Sequence, residues 1–160
     1  MAVDHGGRGM TPVEGGIEVL MLRAGDEPVL ADVADDVFDE AVDARLVAEF
    51  LSDPRHHIAV ARHAGRVVGF ASGVHYVHPD KPTELWINEV GVAPPYQGKG
   101  VGKRLLAALL EAGSEAGCAK AWVLTHQSNK AACGLYRSVG GREALGDIVM
   151  FEFRIQDDEP

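Results

Sequence analysis

The 160-residue chain has only two cysteines, Cys118 and Cys133. A chain of this length buries about two-thirds of its unfolded surface and needs no crosslink to hold a core. Both therefore read as free thiols in a reducing compartment, small core residues more than nucleophiles. Long apolar runs are missing too. The longest, Leu105 to Leu110, falls far short of the roughly 18 residues that a membrane span requires. The N-terminus has no apolar core of the kind a secretory signal carries, so the expected location is the cytoplasm. No serine stands in a nucleophile elbow, and Cys133 has no base at a fixed spacing, which leaves covalent catalysis without support. Neither cysteine nor acid stands at metal-ligand spacing from His56, His57, His75 and His78, and no metal is expected.

Size and composition describe a single globular domain, residues 17–155. Residues 1–16 hold five glycines and read as a flexible leader, and residues 156–160 as an acidic tail. The net charge of −9 is concentrated in one place. Between Asp26 and Asp53 there are ten acids and one base, Arg45, and the rest of the chain balances. Such a segment repels nucleic acid and anionic membranes and enriches a cationic partner around it. Charge alone fits a solvated helix face as well.

Apolar spacing predicts a strand over 17–22, a helix over 27–38 from Val29, Val33 and Val37, and a second short helix over 42–51. Two antiparallel strands, 57–62 and 66–76, flank His63-Ala64-Gly65 in a hairpin. A strand over 84–92 stops at Pro94-Pro95. Next come a helix from Val101 closed by Gly117, a strand over 120–125, a helix over 128–139 and a final strand over 148–155.

The strand, helix and strand from 84 to 125 form a parallel crossover, so the turn into that helix lies at the strand's C-terminal end. It reads Gln97-Gly98-Lys99-Gly100-Val101-Gly102-Lys103-Arg104. Three glycines admit a ligand close to the backbone, and the N–H groups of a first helical turn form an anion site. No acid occurs between Gly91 and Leu110, and phosphate is the natural guest. A Walker A loop fails, because Gln97 stands where its first glycine belongs and Arg104 where its Ser/Thr belongs. A dinucleotide fingerprint fails at Lys103, where it needs glycine.

Gln97-x-x-Gly100-x-Gly102 after Val90-Gly91-Val92, followed by Asn129-x-x-Ala132-x-x-Leu135-Tyr136, resembles the GCN5-related N-acetyltransferase (GNAT) superfamily. The likeness runs from about Ile17 to Phe153. It implies an α/β (α+β) fold, a mixed, mostly antiparallel sheet of six or seven strands flanked by four helices. It also implies acetyl-coenzyme A as co-substrate. By that resemblance the backbone at Val90, Gly91 and Val92 would bind the pantetheine arm, and N–H groups from Gln97, Gly98, Lys99, Gly100, Val101, Gly102 and Lys103 the pyrophosphate. Asn129 would contact the pantetheine side, and Tyr136, which on sequence alone reads as a core tyrosine, would line the cofactor and protonate the departing thiolate.

Transfer to an amine needs the neutral nitrogen, and deprotonating a lysine-like ammonium costs about 4 to 5 kcal/mol at pH 7. A base is expected. Strand alternation puts Leu85, Ile87 and Glu89 on one face, a carboxylate among apolar neighbours whose burial would raise its pKa. From pattern alone an ordinary edge glutamate or an ion-pair partner fits equally, and the resemblance makes Glu89 the expected base. Glu84 to Val92, the stretch 38–61 and the ending Asp147 to Glu152 look most like aminoglycoside 3-N-acetyltransferases, which typically have aspartate where this chain has Glu89. The implied acceptor is a cationic small-molecule amine, an aminoglycoside, contacted by Asp39, Glu40, Glu89 and Asp147, with Glu84 a weaker candidate. The family also implies a possible homodimer. Other readings are transfer to a polyamine, a peptide, a protein N-terminus or lysine, and a non-catalytic acetyl-CoA-binding module.

Overall fold

The computed structural model describes residues 16–144 and 146–155; the acidic tail and all of the leader except Gly16 lie outside them. One sheet has the order β1 (Ile17–Leu22), β2 (His56–His63), β3 (Arg66–Tyr76), β4 (Glu84–Val92) and β5 (Lys120–Trp122). The first four strands are antiparallel neighbours, and β5 joins β4 in parallel. Three α-helices accompany them, α1 (Ala44–Ser52), α2 (Val101–Glu115) and α3 (Lys130–Ser138), with 3-10 turns at Glu27–Ala31 and Pro94–Tyr96. The class is the expected mixed, mostly antiparallel α/β sheet. Among the described residues it has five strands and three α-helices where the resemblance implied six or seven and four.

The local signals explain most of these elements. The β2–β3 hairpin closes through Ala64 and Gly65, both at positive φ, the two-residue turn that matches strand twist. Helix α1 starts where the Asp43 carboxylate accepts from the N–H groups of Arg45 and Leu46. Gly117, at φ +81, follows α2 at the left-handed position that ends helices. Ala59, Ala61, Ala71, Leu85 and Ile87 on one sheet face pack against Leu105, Leu106 and Leu109 of α2. On the other face Ile58, Val60, Val67 and Phe70 pack against Leu30, Val37 and Leu51. Each of these large side chains contributes about 1.5–3 kcal/mol on burial.

Three expected elements differ. The helix over 27–38 is only the 3-10 turn Glu27–Ala31. Beyond it the backbone pairs with β3: Val67 N–H donates to the Asp32 carbonyl and Ala34 N–H to the Val67 carbonyl, which a helix would have kept for itself. The strand over 120–125 stops at Trp122. The strand over 148–155 is absent: Ile148, Val149, Met150, Phe151, Phe153 and Ile155 are 64–89% exposed, and the segment enters no ladder among the described residues. Apolar, β-branched and aromatic composition favours a strand only once a partner edge takes its backbone groups, and β5 is too short to offer one.

Candidate active site

Strands β4 and β5 pair only over Glu84–Trp86 and Lys120–Trp122. From Ile87 to Val92 the β5-side edge of β4 has no strand partner among the described residues. This wedge runs up to the glycine-rich turn. Helices α1 and α3 are capped by Asp43 and Asn129, but the N-cap of α2 is Gly100, which has no side chain to accept a donor. The N–H groups of residues 98–103 find no acceptor among the described residues; Arg104 N–H, bonded to the Gly100 carbonyl at 3.2 Å, is the first that does. Gly98 and Gly100 stand at φ +69 and +78, and a Cβ on either would meet nothing within 4 Å. Glycine is required there by conformation and not by space.

Each side chain of the turn has an assignable role. The Gln97 amide nitrogen donates to the Val92 carbonyl at 2.8 Å, bracing the turn against the end of β4. Lys99 is exposed, with its ammonium 6.0 Å from the centre of the Tyr96 ring, and the Tyr96 hydroxyl is bonded to His63 Nδ1 at 2.8 Å. Val101 is buried beneath the turn. A Cβ at Gly102 would lie 3.3 Å from Leu135, so glycine lets α2 approach α3. Lys103 is exposed. Arg104 is committed elsewhere, donating to the Ile17 carbonyl at 3.3 Å. Six main-chain donors beside two lysines fit a diphosphate, and hydrogen bonds to charged acceptors contribute about 1.5–3 kcal/mol each.

Glu89 does not share the face of Leu85 and Ile87, as alternation predicted. Ser72 opposes Glu89 while Gly73 opposes Ile87, so Asn88 is an extra residue in β4. This bulge turns Glu89 to the face of α1 and leaves Val90 and Val92, with Leu85 and Ile87, on the α2 side. Glu89 is half-buried. Burial first, then the Asp39 carboxylate, pushes its carboxyl above the usual value of 4.5. Phe38 stacks on Phe70 at 3.9 Å between ring centres and anchors the segment that carries Asp39 and Glu40. Gly91 is required by that segment, since a Cβ would stand 2.2 Å from the Val37 carbonyl oxygen. Asp39 and Glu40, with Glu27, Asp35 and Asp36, line a cavity of about 560 Å³ whose walls carry no lysine or arginine.

The remaining candidates separate. Glu84 is taken: the Tyr76 hydroxyl donates to one carboxylate oxygen at 2.7 Å and the Lys120 ammonium lies 3.0 Å from the other. Those contacts, Tyr76 first, hold its carboxyl below the usual range. Asp147 is exposed in the irregular C-terminal segment, and no hydrogen bond or ion pair among the described residues involves its side chain. Tyr136 on α3 packs against the α2-side core; burial, then Cys133, raises its phenol above 10.0, and its hydroxyl has no partner among the described residues. Asn129 Oδ1 accepts from Ala132 N–H at 3.1 Å as the cap of α3, a role absent from the sequence reading, and its amide nitrogen remains available. Sequence reasoning also missed Ser72, 7% exposed opposite Glu89, and the Tyr96–His63 contact. A signal for Ser72 could have come only from strand register, and none existed for a contact spanning 33 residues.

A model of the acetyltransferase (GNAT) family matches residues 26–140. The N-alpha-acetyltransferase RimI of Mycobacterium tuberculosis (strain ATCC 25618 / H37Rv) is 41% identical over 90 residues, 56% of this chain and 54% of that protein. The chain spans 54% to 64% of the length of the first curated relatives it matches. An aminoglycoside acetyltransferase from an uncultured soil metagenomic sample, solved in complex with sisomicin, superposes with a TM-score of 0.76 at 17% identity, covering 89% of this chain and 99% of that one. AAC(6')-Iy in complex with a CoA-containing bisubstrate analog gives a TM-score of 0.71 at 19% identity, with 86% and 98% covered. At these identities the two structures share the fold.

Proposed function

The chain belongs to the acetyltransferase (GNAT) family, and from that premise we propose that it transfers acetyl from acetyl-coenzyme A to an amine of a cationic small molecule. An aminoglycoside, acetylated at a 3-amino group, is the acceptor class we favour. What carries the reading is the uncapped mouth of α2, six N–H groups with no partner among the described residues beside an edge of β4 that no described strand pairs. A diphosphate bound there would run its pantetheine arm along Val90 to Val92 as an added strand, pointing the thioester into the β4–β5 wedge.

The chemistry follows from the two perturbed groups. Glu89, its affinity for a proton raised by burial and Asp39, takes the proton of the acceptor ammonium, directly or through water. The neutral nitrogen attacks the acetyl carbonyl carbon; a C–N bond forms, the C–S bond breaks, and the nitrogen's second proton leaves through water, a proton returning to Tyr136 once it has served the thiolate. Tyr136, kept protonated by its surroundings, donates its proton to the leaving thiolate. Asp39 and Glu40 attract the further ammonium groups of a polycationic acceptor.

Thiol release from acetyl-CoA, measured against gentamicin, spermidine and a short peptide with a free N-terminus, tests this. Release with gentamicin, one acetyl added and its position assigned by NMR, is the expected result. Release with the peptide alone favours a second reading, N-terminal acetylation, which the 41% identity with RimI supports. Binding of acetyl-CoA without release on any amine would leave a regulatory module, and no binding would remove the family chemistry altogether.

A further inference from the structure

The two tryptophans of the chain stand side by side. Trp86 on β4 and Trp122 on β5 are register partners, with ring centres 5.5 Å apart and planes within 5°. Trp122 Nε1 donates to the Tyr76 hydroxyl at 2.8 Å, and that hydroxyl donates in turn to Glu84, whose charge the Lys120 ammonium balances. The cluster is therefore braced and close to neutral. Trp86 is nonetheless 38% exposed. Leu85 and Ile87 face α2, so Trp86 faces the opposite side, the side to which the Asn88 bulge turns Glu89. With one residue consumed by the bulge, Trp86 and Glu89 are about two strand steps apart, roughly 7 Å.

We propose that Trp86 and Trp122 form an acceptor subsite that takes the flat apolar face of a ring while the attached amine reaches Glu89. The inference rests on the acetyl-transfer reading and adds a requirement to it: the acceptor carries a ring next to its reacting amine, saturated as in an amino sugar or aromatic. Charge decides the orientation. The unbalanced carboxylates, Asp39 and Glu40, lie on the segment that crosses β4 at Gly91, whereas the indole end is neutral, so ammonium groups go to the first and uncharged ring surface to the second. A rigid ring also loses less freedom on binding than an open chain of equal area.

Three singly charged primary amines separate the possibilities: cyclohexylmethylamine, benzylamine and n-hexylamine, each assayed by thiol release with acetyl-CoA. Trp86→Leu keeps an apolar side chain, smaller than the indole, and removes the flat surface. In the unaltered protein one or both ring amines should exceed n-hexylamine in kcat/KM by about tenfold, a ratio within reach of aromatic packing. In Trp86→Leu that ratio should fall toward one, through KM and not kcat. Which ring amine is preferred tells an amino-sugar-like acceptor from an aromatic one. Because the protein's tryptophan emission comes from this pair alone, saturation with a ring amine should shift it and n-hexylamine should not. An unchanged ratio in Trp86→Leu, or emission unmoved by either ring amine, overturns the subsite. If neither these amines nor gentamicin releases thiol, the transfer reading fails by itself, and the emission titration still decides whether the indoles hold a ring.

Discussion

At the scale of single residues, the proposed transfer rests on a carboxylate and a phenol whose surroundings favour their protonated forms. Glu89→Gln should lower kcat by about 100-fold or more, the range of general-base losses, with KM for acetyl-CoA little changed. As the proposed base, Glu89 acts only when ionised, and burial followed by Asp39 raises its pKa, so the acid limb of kcat/KM should lie above 4.5. Asp39→Asn removes the like charge and should move that limb to lower pH. Stability carries the opposite sign. The folded state keeps a proton that the unfolded chain releases, so this group's contribution falls as pH rises from 4.5 through the raised value, and Glu89→Gln abolishes that slope in a Tm–pH series. Tyr136→Phe should cost about 100-fold in kcat for acceptors whose thiolate step is limiting, without a change in fold by circular dichroism.

At the scale of elements, glycines and caps do separable work. Gly100→Ala places a side chain in the left-handed region at φ +78, at a cost of about 1–2 kcal/mol, which should lower Tm by about 2–8 °C and raise KM for acetyl-CoA as the turn relaxes. Asn129 joins a structural role to an expected binding role. Asn129→Ala should lose about 1 kcal/mol of stability with the cap. Asn129→Ser keeps an accepting oxygen and lacks the amide, so it should retain Tm and share with Asn129→Ala a raised KM for acetyl-CoA. The bulge in β4 is the element-scale device that matters most. It puts Val90 and Val92 on the α2 side and Glu89 on the α1 side of one strand.

At the scale of the whole molecule, charge is divided between two ends of the proposed site. The segment from Asp26 to Asp53 holds ten acids, while no acid occurs between Gly91 and Leu110. Raising ionic strength from about 0.01 M to 0.15 M shortens the screening length from about 30 Å to 8 Å, and kcat/KM for a polycation such as gentamicin should fall severalfold while that for benzylamine changes little. No helix among the described residues is long and apolar enough to cross a membrane. Much of this arrangement was legible beforehand. The runs that became β3 and β4 and the start of α2 at Val101 carry local signals, in alternation, helical spacing and glycine, and these operate between residues a few positions apart. Where the signal was ambiguous, pairing decided: the segment with valines spaced for a helix over 27–38 gave the Asp32 carbonyl and the Ala34 N–H to Val67, and a strand-like run over 148–155 entered no ladder among the described residues. The amino-acid order alone thus determined the glycine-rich turn that opens α2, because glycine conformation and helix polarity are local properties. Only the tertiary structure decided where Glu89 points and that Trp86 meets Trp122, because a bulge and a register exist only once two strands are hydrogen-bonded to each other.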